Sequence, residues 1–198
     1  MKIKSRQSLA SRLSLWIVSL AIIIFITVIA TNNHLSRALL DDYVDKLARA
    51  ATSATVDKIE SVFDQAESNA DSLASVVAIA GTTEDEIHKA IKALLPINTK
   101  TFGMAVALEP HSLLDTVADF APYSFKKGEA LIYEDLATDD YDYRNQFWYS
   151  EPKKLNAPLW SEPYFDEGGG NVQMITYSKP IYHSGIEAFV GIATADIK

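Results

Sequence analysis

Residues 141–166 hold the densest group of side chains in the chain that could bind a small molecule. The stretch reads YDYRNQFWYSEPKKLNAPLWSEPYFD, with four tyrosines, two tryptophans and two phenylalanines among its carboxylates. Aromatic rings supply apolar walls, and carboxylates, an amide and phenol hydroxyls supply a few fixed polar contacts, as in small-ligand pockets. The same composition also suits a packed core, so the stretch alone leaves both interpretations open.

The elements around this stretch predict an α+β layer with an antiparallel sheet. A short helix is predicted from Tyr143 to Leu155, and SEPYFDEGGG predicts a strand and a tight glycine turn. The segment 111–125 is predicted to be irregular. Longer strands are predicted at 102–110, 129–136, 171–183 and 187–197, the last of them central in the sheet because it alternates poorly.

The charge of the chain excludes some classes of function. The net charge is -8, from 18 basic and 26 acidic side chains. Four of the basic residues precede residue 32 with no acid among them, so the remainder carries 14 basic and 26 acidic side chains, a net of -12. An acidic body argues against nucleic-acid binding and is compatible with a cationic ligand. The absence of cysteine excludes disulfides and thiolate metal sites.

Residues 13–31, LSLWIVSLAIIIFITVIAT, contain no charged side chain. A helix of this length spans roughly 28 Å, close to the hydrocarbon thickness of a bilayer. A cleaved signal peptide is the alternative, but its apolar region is shorter, so we favour an uncleaved anchor. Basic residues before the segment predict a cytoplasmic N-terminus at 1–12, with the rest of the chain outside the cytoplasm.

Residues 34–80 contain no proline or glycine, and their apolar residues recur every three or four positions. This spacing predicts a long helix within 32–81, ending at Gly81. Thr83 and Glu86 then fit a capping box that opens a short helix stopped near Pro96. The first half of the long helix is predicted to pack on another chain or on a part of the same protein outside this sequence, although a spacer role would give the same pattern.

The order of these features resembles the start of a double Cache (dCache) sensor domain, an extracytoplasmic input module of bacterial receptors. The likeness covers residues 30–198 and rests on motifs that occur in order, namely Trp148-Tyr149, the segment 160–164, Asp166 and the segment 176–178. It implies a PAS-like sheet at 82–198, the membrane-distal module. It also implies that a second module, a second membrane span and an output domain, such as a kinase, cyclase or phosphatase, lie outside this chain.

Within that family, a subset that binds amino acids has a recurring set of ligand-binding residues. The resemblance assigns the matching positions here to a binding site: Tyr141, Trp148, Tyr149, Tyr164, Asp166 and Asp196. The arginine that holds the ligand carboxylate in that subset is replaced by Gln146, and Arg144 lies two residues earlier. The carboxylate contact is therefore weakened, and the resemblance favours a small amine over an amino acid.

Other chemistry has weaker support in the sequence. The four histidines lack the spacing of metal ligands, and the acidic residues at 135–142 do not follow an EF-hand pattern. No nucleophile motif or phosphate loop is present, and no cofactor or catalytic residue is predicted.

The sequence as a whole predicts a sensor rather than an enzyme. We expect a periplasmic ligand-sensing domain, anchored by one helix in the bacterial inner membrane, that binds a small amine or amino acid and dimerises through its long helix. The alternative is a membrane-anchored interaction module without a ligand.

Overall fold

The chain begins with one long helix, α1 (Leu9–Val77), seen in a computed structural model that describes residues 9–79, 82–113, 118–185 and 188–198. The predictions for residues 1–8 and for Gly81 lie outside the described residues. The chain divides into two units, Met1–Asp57 and Lys58–Lys198. In the first unit the described side chains of α1 are exposed, and its apolar N-terminal part is long enough to cross a membrane by length and composition.

The second unit contains the last turns of α1 and a second helix, α2 (Glu84–Ile97). The predicted capping box is confirmed, because the Thr83 hydroxyl accepts from the Glu86 backbone N–H at 3.3 Å and Glu86 accepts from the Thr83 N–H at 2.8 Å. Both helices turn apolar faces towards the sheet through buried residues such as Leu73 and Ile91.

Within the described residues the sheet is antiparallel and has seven strands. They are β1 (Gly103–Leu108), β2 (Pro122–Lys127), β3 (Ala130–Asp135), β4 (Leu159–Trp160), β5 (Tyr164–Phe165), β6 (Gln173–Tyr182) and β7 (Phe189–Ile197). Their order is β3-β2-β1-β7-β6-β4, with β5 paired to β6. A 3-10 turn (Tyr143–Asn145) and the helix α3 (Phe147–Leu155) lie between β3 and β4, close to the predicted helix.

One prediction about the sheet is wrong. The segment 111–125 was expected to be irregular, but its end forms the start of β2, which pairs with both β1 and β3. Proline and serine in PYSFKK resemble turn residues, yet Pro122 is the first residue of the strand, where a missing N–H is tolerated. The central position of β7 is confirmed, because it lies between β1 and β6 and is buried from Val190 to Asp196.

Two separate groups of buried side chains cover the two faces of the sheet. The first group joins α1 and α2 to one face through residues such as Met104 and Val106. The second group lies on the opposite face and consists largely of aromatic residues from β2 and from 141–149. The polar residues that could bind a ligand lie among this second group.

Candidate functional site

A small cavity lies within the aromatic face of the sheet, in the second unit of the chain. Its volume is about 10 Å³, enough for a single water molecule. The lining combines aromatic rings with two carboxylates and two threonine hydroxyls, and none of the described residues that line it carries a positive charge. The lining residues are Ala105, Tyr123, Leu136, Tyr141, Trp148, Tyr164, Asp166, Thr176, Thr194 and Asp196.

The register of neighbouring strands brings five of these residues together. Thr176 on β6 lies directly opposite Asp196 on β7. Because side chains alternate along a strand, Thr194 lies on the same face as Asp196. Ala105 on β1 lies opposite both Thr194 and Tyr123. The floor of the cavity is therefore fixed by the hydrogen-bonded part of the sheet.

Asp196 is almost completely buried in this floor. Its Oδ1 accepts a hydrogen bond from the Thr176 hydroxyl at 2.8 Å, and the Thr176 oxygen in turn accepts from Tyr164 at 2.9 Å. Burial raises the pKa of Asp196 from its ordinary 3.8 to about 7. The hydrogen bond from Thr176 and the nearby Tyr123 hydroxyl oppose this rise, while the charge of Asp166 adds to it. The carboxyl group can therefore be neutral or ionised near neutral pH.

Asp166 is the second carboxylate and is held by the turn that follows β5. Its Oδ1 accepts from the Tyr141 hydroxyl at 2.5 Å, and its Oδ2 accepts from the Gly170 N–H at 2.6 Å. A Cβ at Gly169 would lie 2.2 Å from Oδ2, so a side chain there would displace the carboxylate or the turn. The glycine turn predicted at this position thus serves to seat Asp166.

The three tyrosine hydroxyls of the cavity stay protonated. Burial, followed by the charge of neighbouring carboxylates, raises the pKa of Tyr123, Tyr141 and Tyr164 above the ordinary value. Trp148 donates its indole N–H to the Tyr141 oxygen at 3.2 Å, and Tyr141 donates its hydroxyl to Asp166, so two successive hydrogen bonds link Trp148 to Asp166. The buried hydroxyl of Tyr123 lies beside Asp196 but forms no well-aligned hydrogen bond among the described residues.

A larger groove of about 720 Å³ lies beside the cavity and shares three wall residues with it, Tyr141, Tyr164 and Asp166. Four further carboxylates line the groove, and no basic side chain does among the described residues. The remaining lining residues are Glu134, Asp135, Thr138, Asp140, Gln146, Phe165, Glu167 and Gly168. The cavity and the groove together form an acidic site with an inner and an outer compartment.

Five of the eight residues predicted for the binding site line the cavity: Tyr141, Trp148, Tyr164, Asp166 and Asp196. Gln146 lines the outer groove and donates its side-chain N–H to the Tyr141 carbonyl at 2.9 Å.

Two of the predicted residues lie elsewhere. Tyr149 is buried behind Trp148 and donates its hydroxyl to Glu109 at 2.8 Å. Arg144 is half-exposed and pairs with Asp119 at 3.0 Å, away from the cavity.

Sequence reasoning missed Tyr123, Thr176 and Thr194. Thr176 belongs to a motif already noted in the sequence, and Thr194 lies two residues before Asp196, so the period of a strand places it on the same face. Tyr123 was missed because β2 was not predicted. The described residues contain no group of three or more histidines and acids arranged to hold a metal.

The comparison with known families agrees with this geometry. Residues 87–198, more than half of the chain, match the family described as "Methyl-accepting chemotaxis protein-like, first PDC sensor domain". The chain belongs to this family. A PDC sensor domain is a Cache-type module, so the predicted resemblance and the predicted fold class are confirmed. No curated protein sequence matches the chain.

Solved structures with the same fold include sensor domains of two kinds of receptor. The extracellular domain of the histidine kinase soHK1S-Z6 is 27% identical, with a TM-score of 0.60 over 71% of this chain and 55% of that one. The Pseudomonas aeruginosa PAO1 amino acid chemoreceptor PctC, in complex with GABA, is 20% identical, with a TM-score of 0.50 over 74% and 57%. The Campylobacter jejuni chemoreceptor Tlp3, in complex with 4-methylisoleucine, is 22% identical, with a TM-score of 0.51 over 73% and 53%.

The similarity to the two chemoreceptors, below 25% identity, shows a shared fold alone. The chain spans little more than half the length of all three solved chains. The chain contains a ligand-sensing receptor domain of the extracytoplasmic kind, with one N-terminal helix able to anchor it in a membrane.

Proposed function

We propose that this sensor domain binds a small organic cation, an amine without a carboxylate, between Asp166 and Asp196. The observation that carries the proposal is the pairing of two buried carboxylates in one cavity whose described lining contains no positive charge. Two buried carboxylates repel one another, and a cation relieves both that repulsion and the cost of burying charge. Trp148 and the tyrosines add ring faces that attract cations.

The part of the site around Gln146, away from the two aspartates, favours an amine over an amino acid. A carboxylate is best held by an arginine, which forms two parallel charged hydrogen bonds. Gln146 occupies the position where the amino-acid-binding pattern has that arginine, and its amide N–H is already donated to the Tyr141 carbonyl. Arg144 is held by Asp119 outside the cavity. An amino acid would therefore bring a carboxylate to an acidic groove without a compensating cation.

Ligand entry requires the wall between the cavity and the groove to move. A volume of about 10 Å³ is too small for an amine such as butylamine, so the bound state must be a more open arrangement. Tyr141 and Asp166 form that wall and are joined by one hydrogen bond, while the floor strands are held by the sheet. A ligand that binds only the open arrangement shifts the population towards it, which is what a sensor requires.

The rest of the predicted organisation extends this proposal. Residues 13–31 span the bacterial inner membrane, 1–12 are cytoplasmic, and 32–81 are the periplasmic segment that leads to the module at 82–198, helical in the structure as far as Val77. The exposed apolar residues of α1, which include Leu35, Leu39, Tyr43 and Leu47, support a homodimer formed through this helix. The chain is not itself an enzyme, and any catalytic output belongs to a separate cytoplasmic domain.

The test is a thermal-shift assay on the full chain in nanodiscs of zwitterionic lipid, with butylamine as the amine and GABA as the amino acid. Butylamine should raise the unfolding midpoint by mass action, and Asp196→Ala should abolish that rise. Glu129→Gln, at an exposed acid outside the site, is the control and should leave the rise unchanged. A rise with GABA alone, or an unchanged rise in Asp196→Ala, would refute the proposal.

A second variant tests the role given to Gln146. Gln146→Arg places a guanidinium in the groove, so it should strengthen GABA binding and weaken butylamine binding relative to the unmodified chain. Equal changes for the two ligands would show that position 146 does not face the far end of the ligand.

A further inference from the structure

The outer groove contains more negative charge than a single ammonium in the inner cavity can balance. Glu134, Asp135, Asp140 and Glu167 line it together with the shared residue Asp166. None of the four outer carboxylates forms an ion pair within the part of the chain that the structure describes. Their mutual repulsion is relieved only by cations from solution or from a ligand.

The inner cavity supplies an independent sign of a ligand. The Tyr123 side chain lines it and is 2% exposed, and its hydroxyl lies beside Asp196 but forms no well-aligned hydrogen bond among the described residues. A buried hydroxyl left without a partner costs free energy, and such groups call for an explanation. An ammonium placed between the two aspartates can donate a hydrogen bond to this oxygen.

The cavity and the groove meet at one place, the wall formed by Tyr141, Tyr164 and Asp166. A linear ligand that enters through this wall leaves its outer end in the groove. That end lies among carboxylates, so a methyl group there gains little and a carboxylate is repelled. A second ammonium is the group that matches the groove.

We propose that the ligand of this domain is a linear diamine or polyamine, with one ammonium between Asp166 and Asp196 and another in the groove lined by Glu134, Asp140 and Glu167. The inference rests on the proposed amine-binding function and narrows it to a class of ligand with charge at both ends. It requires the chain of methylene groups to pass between the rings of Tyr141 and Tyr164, where apolar surface is available.

The test compares three ligands with the same four-carbon chain, namely butylamine, 1,4-diaminobutane and GABA, by titration calorimetry on the full chain in zwitterionic nanodiscs. Zwitterionic lipid keeps the diamine from binding the membrane itself. We expect 1,4-diaminobutane to bind at least about tenfold more tightly than butylamine, and its advantage to shrink as salt screens the exposed carboxylates.

A pair of variants locates the second ammonium. The double variant Asp140→Asn/Glu167→Gln should weaken 1,4-diaminobutane about fivefold and leave butylamine nearly unchanged, since each exposed charge contributes modestly. The matched double variant Glu60→Gln/Glu129→Gln removes two exposed acids outside the groove and should affect neither ligand. A variant with only the groove charges removed also keeps the inner cavity intact, so the loss would not come from misfolding there.

The outcomes separate this inference from the proposal on which it depends. Equal affinity for butylamine and 1,4-diaminobutane, or equal losses in the two double variants, would overturn the diamine inference and leave the amine-binding function standing. Tightest binding of GABA, or no binding of either amine, would overturn both.

Discussion

Replacing Asp196 with asparagine should remove a pH-dependent cost of folding. Burial raises the pKa of this carboxyl group from 3.8 to about 7 in the folded chain. Between these values the folded state keeps a proton that the unfolded state has released, so stability falls as the pH rises and levels off above about pH 7. Asparagine cannot ionise, and its amide oxygen can still accept the hydrogen bond from Thr176.

The magnitude follows from the pKa. A group that binds one more proton in the folded state changes the free energy of unfolding by about 1.36 kcal/mol per pH unit. Because the folded carboxyl group is already half ionised at pH 7, the wild-type chain should lose roughly 2 kcal/mol from pH 5 to pH 7, or about 4 to 8 °C in its unfolding midpoint. The carboxyl groups whose pKa is lowered, such as Glu109, titrate below this range and contribute little to the slope.

The assay is thermal unfolding of the full chain in zwitterionic nanodiscs, followed by tryptophan fluorescence at pH 5, 6, 7 and 8. Asp196→Asn should show a midpoint that changes little over this range and exceeds that of the wild type at pH 8. Glu129→Gln, at an exposed acid, should keep the wild-type slope. A wild-type midpoint that does not fall from pH 5 to pH 7, or a variant that keeps the full slope, would refute the reasoning.

Three further substitutions test the parts that hold the site. Tyr141→Phe removes the 2.5 Å donor to Asp166 and should cost roughly 2 kcal/mol in denaturant unfolding at pH 7; a loss below about 0.5 kcal/mol would contradict the bond's importance. Gly169→Ala crowds the Asp166 carboxylate and should weaken butylamine binding in calorimetry. Gly128→Ala has nothing within 4 Å of its Cβ and strains only the positive φ of the turn between β2 and β3, so it should leave butylamine binding unchanged; equal effects on binding would contradict the crowding argument. Leu73→Ala empties a fully buried position under the sheet and should cost about 2–5 kcal/mol in thermal unfolding without changing butylamine affinity at temperatures where the chain is folded. A large change in affinity there would mean that the helix side of the sheet shapes the site.

The sequence predicted the two carboxylates of the site better than the elements around them. Asp166 and Asp196 were identified from a family pattern, and the structure brings both to one cavity. Tyr149 follows the same pattern but points to Glu109, because adjacent residues of a helix face different sides. Arg144 could not be placed from the sequence, since its direction depends on the 3-10 turn that precedes α3.

The strands were also predicted only in part, because short strands depend on contacts that are distant in sequence. Periodicity identified β6 and β7, which are long, but β2 is short and starts with a proline. Its pairing with β1 and β3 comes from tertiary contacts that local preferences do not encode. The register that sets Thr176 opposite Asp196 likewise depends on the whole sheet.

The cost of burying Asp196 explains how ligand binding can act on the rest of the domain. At pH 8 the ionised carboxylate of the free domain costs roughly 4 kcal/mol relative to water, and a bound cation recovers part of this. The hydrogen bond from Thr176 links Asp196 of β7 to β6 on one face of the sheet. The neighbouring residue Tyr177 faces the other side and packs on Trp160 of β4. Trp160 contacts Phe63 of α1 and donates its indole N–H to Glu67 at 2.8 Å, so it joins the sheet to this helix. We infer that a change in the position of β6 on binding would pass through Tyr177 and Trp160 to α1, the helix that also contains the membrane-spanning segment.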